Sequence, residues 1–374
     1  MERQEEFKAR LERIREAVVD NDLEGLLVCS AMWRKDAVRY VTGHNFTGAH
    51  AFAIVSGSGK TALIVESSWE AERARQTAIT QDIVVADNGL AEAITGKLAE
   101  FGIKGRLGIA GADFAPSELI RAIGDKMPKL ELVMASKVLD KVRAKKTPYE
   151  LERMRKAAEL ADLGFSTFLS NIKEGKKEFE LIADVDYALK TAGAEDNFML
   201  MASGGADVRA MHPAKNRAVQ RGDVLRTEVT PQWDGYWTQI CRTVVFGKPN
   251  TEQKRSFDVF NRALEAALDG FKPGMTAHDV AKLQNDVFRA EGFGEYVSNK
   301  YTRTRGHAMG MHLDEDPAIE EGNDTILEPG AVFIIHPNTF LPLYGYMVLG
   351  DPIIVTETGY ETLLRTPREL FVVD

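Results

Sequence analysis

The 374-residue chain is predicted to form an α/β domain at residues 1–140 and an α+β domain at residues 146–374. Up to Leu139, short apolar runs alternate with helix-like segments, which is typical of helices layered on a mixed sheet. A basic, polar connection at residues 141–146 marks the boundary. Beyond it, strand-like runs accompany amphipathic helices, and we expect two of these helices to cover the outer face of a curved antiparallel sheet.

The elements of the first domain can be assigned in order. Residues 2–19 are charged and amphipathic, which predicts a helix and contains no apolar core of a secretory leader. Six strand-like runs follow, namely GLLVC, AFAIV, TALIV, DIVVA, RLGIA and LELVM. The sequence SGSGK between the second and third runs superficially suggests a phosphate loop. Because a strand-like run follows it rather than a helix, a hairpin turn is the better interpretation.

Three long helices are predicted in the second domain. Thr147-Pro148 is a favourable helix start, since proline is tolerated in the first turn. Residues 150–171 then carry apolar side chains at helical spacing, and residues 252–269 and 276–291 show the same period. The sequence contains no obvious internal repeat or low-complexity segment.

Composition excludes several classes of protein. The net charge is −9, and no dense run of Lys or Arg is present, which argues against nucleic-acid binding. The longest apolar runs are strand-sized and too short to span a bilayer. The two cysteines, Cys29 and Cys241, lie in apolar strand-like sequence and are expected to be buried thiols. We therefore expect a soluble, acidic cytoplasmic protein with neither a nucleic-acid nor a membrane partner.

One hairpin places polar residues on a common surface. Asp234-Gly235 between two strand-like runs is a strong signal for a two-residue turn. With that turn, Glu228 faces Cys241 and Thr230 faces Gln239 across the two strands. Since side chains alternate along a strand, all four project from one face. A β-bulge would shift this register by one residue.

Three segments carry a family resemblance in their order and spacing: RGDVLRTEVTPQWDGYWTQICRTVVF, GHAMGMHLDEDP and LEPGAVFIIHPN. They resemble the active-site strands of the creatinase / aminopeptidase P / prolidase superfamily, the pita-bread enzymes. In the N-terminal third, LEGLLVCS and RYVTGHNFTG resemble the creatinase-type domain, and VRAKKTPYELERMRKAAELAD resembles the entry into the catalytic domain. The resemblance implies an α/β creatinase-like domain followed by an α+β pita-bread catalytic domain.

The resemblance also implies where a metal site would lie. Metal-dependent members hold two divalent ions with two aspartates, a histidine and two glutamates. The matching positions here are Glu228, Gln239, His307, His336 and Gly350, so only the histidine is retained. The pattern therefore predicts the metal-free branch of the superfamily, similar to creatinase or ectoine hydrolase, with no metal and no other cofactor.

The catalytic residues predicted on this basis are one carboxylate and three histidines. Glu228 attacks or anchors a cationic carbon, and His307 activates water. His212, which matches a superfamily histidine outside the metal shell, protonates the departing nitrogen, while His336 fills the space left by the metal. Histidine suits proton transfer near neutral pH. The predicted reaction is metal-independent hydrolysis of a C–N bond in a small nitrogen-containing carboxylate of cyclic amidine or guanidino type.

Further residues are predicted to bind the substrate. Arg303 and Arg305 precede His307, and a guanidinium matches a carboxylate in geometry. The loop HNFTGAH at residues 44–50 matches a region that reaches the neighbouring active site in creatinase-like dimers, so we expect a homodimer. The remaining predicted substrate contacts are Gln239, Cys241, His312, Asp314, Phe46 and His50.

Two alternative functions remain open from the sequence. The first is a metal-dependent Xaa-Pro dipeptidase or aminopeptidase with atypical ligands, or a lyase on the same scaffold. In that case Glu228, His307 and His336 are a set that can hold a single ion. The second is a non-catalytic peptide-binding module. Binding alone does not require several ionisable groups around one cavity, which argues against the module.

Overall fold

The computed structural model describes residues 3–342 and 345–374, and the chain divides into two compact units, Met1–Arg143 and Ala144–Asp374. The start of the first helix, predicted at residue 2, lies outside the described residues. In the described part of the chain, no helix is both long and apolar enough to cross a membrane.

The first unit is built on one six-stranded mixed sheet with the strand order β4-β3-β2-β1-β5-β6. Its strands in chain order are β1 Gly25–Ala31, β2 His50–Ser56, β3 Thr61–Val65, β4 Asp82–Val85, β5 Arg106–Ala110 and β6 Glu131–Met134. Its α-helices are α1 Arg3–Asp20, α2 Asp36–Thr42, α3 Ser68–Thr77, α4 Leu90–Phe101, α5 Ser117–Lys126 and α6 Ser136–Ala144, with a short 3-10 helix at Ala112–Phe114.

The six strand-like runs of the sequence correspond to these six strands. β1, β2 and β3 pair antiparallel, whereas β4, β5 and β6 pair parallel to their neighbours. The β2–β3 pairing confirms that SGSGK forms a hairpin connection. Apolar side chains of the sheet, such as Leu27 and Phe52, pack with Ile94 and Leu98 of α4 and Ile123 of α5 in one core.

The second unit contains two five-stranded sheets and a two-stranded ribbon. The strands of the first sheet are β7 Asp196–Gly204, β8 Val224–Trp233, β9 Tyr236–Trp237, β10 Ile240–Phe246 and β18 Phe371–Val373. The second sheet contains β11 Gly306–Ala308, β12 Glu315–Ala318, β13 Val332–Ile335, β16 Asp351–Val355 and β17 Tyr360–Thr362. The ribbon consists of β14 Thr339–Leu341 and β15 Gly345–Met347.

The sequence predicted one curved antiparallel sheet, and the structure divides it into two sheets in the orders β18-β10-β8-β7 and β12-β11-β13-β16-β17, with β9 paired to β8. All described pairs in this unit are antiparallel except β10 with β18. The two sheets meet where Cys241 and Gly350 exchange backbone hydrogen bonds, N to O, of 3.3 and 3.1 Å. This junction carries the candidate functional residues described below.

Four α-helices belong to the second unit: α7 Pro148–Asn171, α8 Glu178–Thr191, α9 Thr251–Gly270 and α10 Ala277–Ala290, with a 3-10 turn at Gly294–Val297. α7 begins as predicted, because the Thr147 side chain accepts from the Glu150 amide while Glu150 caps Thr147 in return. α8 was not predicted, although its buried residues Leu181, Val185 and Leu189 recur at helical spacing. α7 and α8 pack through one apolar core on the sheet of this unit that contains β7, β8 and β10.

Candidate functional site

The hairpin of β8 and β9 forms as the sequence predicts. Asp234 and Gly235 both have positive φ angles, 45° and 86°, which is the geometry of a type I′ turn. The register confirms that Glu228 lies opposite Cys241. Leu225 and Val229 face the helix core, so the alternating residues, including Glu228, point to the other face.

A row of residues crosses the junction between the two sheets. Cys241 connects Glu228 on one side to Gly350 on the other. A Cβ atom added at Gly350 would lie 2.7 Å from the Cβ of His336 and 3.4 Å from that of Cys241. His336 therefore fills the space where a side chain at position 350 would begin.

The two predicted catalytic histidines of the second sheet are neighbours. The rings of His307 and His336 meet edge to face, with centroids 5.6 Å apart. His307 Nδ1 lies 3.1 Å from the Ala308 carbonyl and 3.6 Å from Asp314 Oδ1. If Nδ1 carries the proton and donates to that carbonyl, Nε2 of His307 is left as a hydrogen-bond acceptor.

Asp314 contacts residues around His307. Arg303 donates to Asp314 over 2.7 Å, and the Nδ1 atom of His312 lies 2.8 Å from the carbonyl oxygen of Asp314. Four of the predicted residues, Arg303, His307, His312 and Asp314, are thus joined in one network, in which Arg303 remains exposed.

Glu228 titrates far from its ordinary range. Burial raises the pKa of the Glu228 carboxyl to about 7, and the hydrogen bond from Asn338 and the charge of Arg303 oppose this rise only in part. The Asn338 amide donates to Glu228 Oε1 over 2.9 Å. A carboxyl group with this pKa holds and releases a proton near neutral pH, as general acid–base catalysis requires.

The two histidines are held neutral. Burial lowers the pKa of His307, although Asp314 acts in the opposite direction. Burial lowers the pKa of His336 well below its usual value, and the proximity of His307 lowers it further. Neutral imidazoles accept protons or share hydrogen bonds, and these two lie in the row that crosses the sheet junction and that also contains the Glu228 carboxyl.

Several buried polar atoms at the site have no hydrogen-bond partner among the described residues. They are Oε1 of Gln239, Oγ1 of Thr230 and Nδ1 of His336. Such orphaned groups are costly unless water or a ligand satisfies them. Their presence on one surface is what a binding site for a polar molecule requires.

His212 lies on a separate loop, between β7 and β8. Its carbonyl accepts from the Met201 amide, and its Nδ1 is 2.9 Å from the Pro213 carbonyl. It lines a cavity of about 370 Å³ together with Arg209 and other residues of that loop. None of its described contacts joins it to Glu228 or His307, so its catalytic role stays a prediction.

Two arginines near the site are engaged within the protein. Arg305 is buried, donates to Asn285 and to the carbonyls of Pro337 and Asn338, and burial lowers its pKa to about 9. Arg242 pairs with Asp351 over 2.7 Å. Both therefore support the scaffold, and of the two arginines predicted to bind a carboxylate only Arg303 is exposed to solvent.

The loop at residues 44–50 is described within the first unit alone. Phe46 is fully buried there, and His50 Nδ1 lies 3.5 Å from Glu66. His44 is also buried and contacts Glu70, which accepts from the Thr47 amide. The contact of Phe46 and His50 with a partner's substrate stays a prediction.

Asn338 and Tyr346 were not identified from the sequence as site residues. Asn338 follows His336 by two positions in the quoted motif LEPGAVFIIHPN, so its place beside a strand-end histidine was the available signal. Tyr346 lies on β15, and both burial and the charge of Glu228 raise its pKa. Only the fold brings it near the β8 carboxylate.

Comparison with known families assigns both units. Residues 152–357 match the family described as Metallopeptidase family M24, and residues 10–145 match the Creatinase/Prolidase N-terminal domain. The Xaa-Pro dipeptidase of Pyrococcus furiosus is 27% identical over 366 residues, which cover 97% of this chain and 100% of that protein.

Solved structures give the same relationship. An Xaa-Pro dipeptidase from Bacillus anthracis superposes with a TM-score of 0.86 at 27% identity, covering 98% of this chain and 100% of its own. The prolidase from Pyrococcus horikoshii OT3 also reaches a TM-score of 0.86 at 27% identity, over 97% of this chain and 100% of its own.

These relationships correct the predicted function. The prediction of a metal-independent hydrolase for a cyclic amidine or guanidino compound is wrong, because the similar proteins are Xaa-Pro dipeptidases and prolidases. The assignment to a metal-free branch is contradicted too, since M24 is a family of metallopeptidases. The broader prediction of a hydrolase acting on C–N bonds is confirmed.

The pair of metal ions that the resemblance implies does not fit the residues at this site. Gln239 offers an amide where the resemblance places a carboxylate, and Gly350 has no side chain while His336 occupies the adjoining space. Across residues 3–342 and 345–374, no three His, Cys, Asp or Glu side chains are arranged to hold a metal ion. That includes the single-ion set of Glu228, His307 and His336, so we derive no catalytic step through a metal.

The fold and the site agree with the resemblance seen in the sequence. The α/β unit and the α+β unit occur in the expected order, and the three motifs meet at one junction of strands. With more than half of its length matched, this chain belongs to the metallopeptidase family M24, of the creatinase / aminopeptidase P / prolidase pita-bread superfamily.

Proposed function

We propose that this protein hydrolyses the peptide bond of a dipeptide-sized substrate, with Xaa-Pro dipeptides as the first class to test. The proposal is supported by the similarity, along nearly the full chain, to Xaa-Pro dipeptidases and prolidases. The observation that carries it is the row of Glu228, Cys241, His336 and His307 across the sheet junction, which places proton-transfer groups on one surface.

Two side chains, His307 and Glu228, each carry out one proton transfer of the reaction. Water adds across the C–N bond: its oxygen bonds to the carbonyl carbon, that carbon's bond to nitrogen breaks, and the nitrogen takes up a proton. His307 accepts the proton of the attacking water at Nε2, because its Nδ1 is directed to the Ala308 carbonyl and Asp314. Glu228, protonated near neutral pH, delivers a proton to the departing nitrogen.

The orphaned polar atoms bind and orient the substrate. Gln239 Oε1 accepts a substrate N–H, and His336 Nδ1 forms a hydrogen bond with the peptide group. Arg303, exposed beside Asp314, contacts the substrate carboxylate. His212 lines the cavity at its own loop, and its part in the reaction stays a prediction.

The experiment is a release assay for proline and other amino acids from a panel of Xaa-Pro and non-proline dipeptides. Each substrate is tested with protein as purified, after treatment with a chelator, and with added Mn²⁺ or Co²⁺. Metal content is measured on the same samples. Hydrolysis of at least one dipeptide that is lost in Glu228→Gln supports the proposal. No release from any dipeptide under any metal condition contradicts it.

We also propose that the protein is a homodimer, with the N-terminal domain, taken as residues 1–140, completing the partner's pocket. Trp33 is 76% exposed and Met32 is 49% exposed, which is unusual for such large apolar side chains. The Met32 amide donates to the Ala49 carbonyl, and Ala31 pairs with His50. This exposed pair therefore lies beside the loop at residues 44–50 that was predicted to reach the partner.

A further inference from the structure

Asn338 is held at several points at once. Its side-chain Oδ1 accepts from the Leu349 amide over 3.0 Å, and its backbone carbonyl accepts from Thr302 Oγ1 at 2.8 Å and from Arg305 Nη1 at 3.1 Å. The residue is 2% exposed. A buried amide anchored on both its backbone and its side chain cannot rotate freely, so the direction of its NH₂ group is set by the fold.

That NH₂ group is directed at the site. It donates to Glu228 Oε1 over 2.9 Å, and the Asn338 side chain is also hydrogen-bonded to Cys241. In a neutral carboxyl the carbonyl oxygen is the stronger acceptor, so the amide donor at Oε1 favours the form of Glu228 in which Oε2 carries the proton. The proton is thereby directed to Oε2, for which the structure shows no hydrogen bond among the described residues.

We propose that Asn338 is a positioning residue that orients the Glu228 carboxyl, with Oε1 held as an acceptor and Oε2 presented to the substrate. The inference rests on the proposed function, in which Glu228 delivers a proton to the departing nitrogen. Without Asn338 the carboxyl rotates about its terminal torsion, which is broad for glutamate, and the proton is distributed over both oxygens. The side chain acts on the proton transfer through Glu228 and does not itself touch the substrate.

The kinetic test compares wild type with Asn338→Leu, which removes the donor at similar volume, and with isosteric Asn338→Asp in case the first variant does not fold. We expect kcat for the best dipeptide to fall by about 10- to 100-fold while KM changes by less than about threefold, because misoriented catalytic groups lose rate rather than binding. In the Glu228→Gln background, either substitution should cost no further activity.

The pH profile separates positioning from general disruption. Removing a donor to the Glu228 carboxyl should move the basic limb of kcat/KM to higher pH, whereas a structural defect lowers the whole profile without moving it. Arg303 is the group whose charge acts on Glu228, while Glu228 in turn raises the pKa of Cys241 and of Tyr346, and none of these three residues is changed in these variants. A matched control is Asn285→Ala, a buried amide that holds Arg305 and Glu321 but not Glu228.

The outcomes distinguish this inference from the proposed function. An unmoved pH profile, with kcat within about threefold of wild type in folded Asn338→Leu or Asn338→Asp, overturns the positioning role. If no dipeptide is hydrolysed even by wild type, the proposed function fails. The contact between Asn338 and Glu228 can then still be tested by a double-mutant cycle that measures the free energy of unfolding. Coupling between Asn338→Leu and Glu228→Leu, which removes the acceptor oxygen, then supports the orientation of Glu228, and strictly additive effects overturn it.

Discussion

At the scale of single residues, the charged form of Glu228 lowers the free energy of unfolding. A carboxyl group within a sheet junction loses hydration, and one amide hydrogen bond from Asn338 does not compensate for that loss. Catalytic groups are commonly kept in such unfavourable surroundings because the altered pKa is needed for proton transfer.

Glu228→Gln should therefore stabilise the protein at alkaline pH. The pKa of Glu228 is about 7 in the folded state and 4.5 ordinarily, so the folded state binds this proton more tightly. The stability contributed by the group is complete below pH 4.5 and is lost as pH rises through about 7. We expect the variant to gain about 1–2 kcal/mol over wild type at pH 8 and little at pH 4.5.

Chemical denaturation at the two pH values measures this difference. The control is Glu328→Gln, which removes an exposed carboxyl group in the same domain. An equal effect of Glu228→Gln at both pH values would show that the carboxyl group is not buried with a raised pKa.

The contact between His336 and Gly350 gives a second prediction at this scale. Gly350→Ala should destabilise the protein by about 1–3 kcal/mol, since the new Cβ would lie 2.7 Å from the Cβ of His336. In a His336→Gly background the same substitution should cost about 1 kcal/mol less. Thermal unfolding of wild type, the two single variants and the double variant measures the coupling. An identical loss of stability from Gly350→Ala in both backgrounds would show that the His336 side chain does not compete for this space.

At the scale of secondary-structure elements, the Asp234-Gly235 turn sets the register that brings Glu228 opposite Cys241. A one-residue slip would move Glu228 to the helix face and disrupt the row of site residues. The turn is also tied to α7, because Arg153 donates to Asp234 over 2.9 Å.

Gly235→Val should lower both stability and activity. A β-branched residue at a φ of 86° is strained, and the expected cost is about 1–3 kcal/mol together with a loss of dipeptidase activity. Asp234→Asn is the matched control, because Asn-Gly is as favourable in a type I′ turn. Unfolding curves and initial rates for both variants test the role of the turn. Normal activity in Gly235→Val would show that the register does not depend on it.

At the scale of the whole molecule, the proposed homodimer depends on the exposed apolar pair Met32 and Trp33. Trp33→Lys should weaken or abolish the proposed homodimer, because it places a charge on the exposed apolar pair beside residues 44–50. Tyr187→Lys on α8, where the tyrosine is 74% exposed, is the control.

Light scattering and activity over a range of protein concentrations provide the measurement for this prediction. Wild type and Tyr187→Lys should show twice the mass of one chain, and Trp33→Lys should dissociate with a parallel loss of activity. A wild-type monomer with full activity at micromolar concentration would exclude the dimer as the active form.

The sequence alone determined the order of the domains, the six strands of the first sheet, three of the four α-helices described after the boundary and the pairing of Glu228 with Cys241. These features depend on local chemistry, namely the period of apolar residues, capping at Thr147 and the turn preference of Asp234-Gly235. The family resemblance gave the two-domain architecture and a hydrolase of C–N bonds, yet the loss of matching ligands led to the wrong prediction of a metal-independent enzyme for an amidine or guanidino compound.

Only the tertiary structure decided how the two sheets meet and what surrounds Glu228. The hydrogen bond from Asn338, the proximity of Tyr346 and the filling of the space at Gly350 by His336 join residues that are distant in sequence. No periodicity or spacing encodes such contacts, because they depend on the packing of separate strands against one another. The same packing buries the carboxyl group and raises its pKa, which local sequence does not specify.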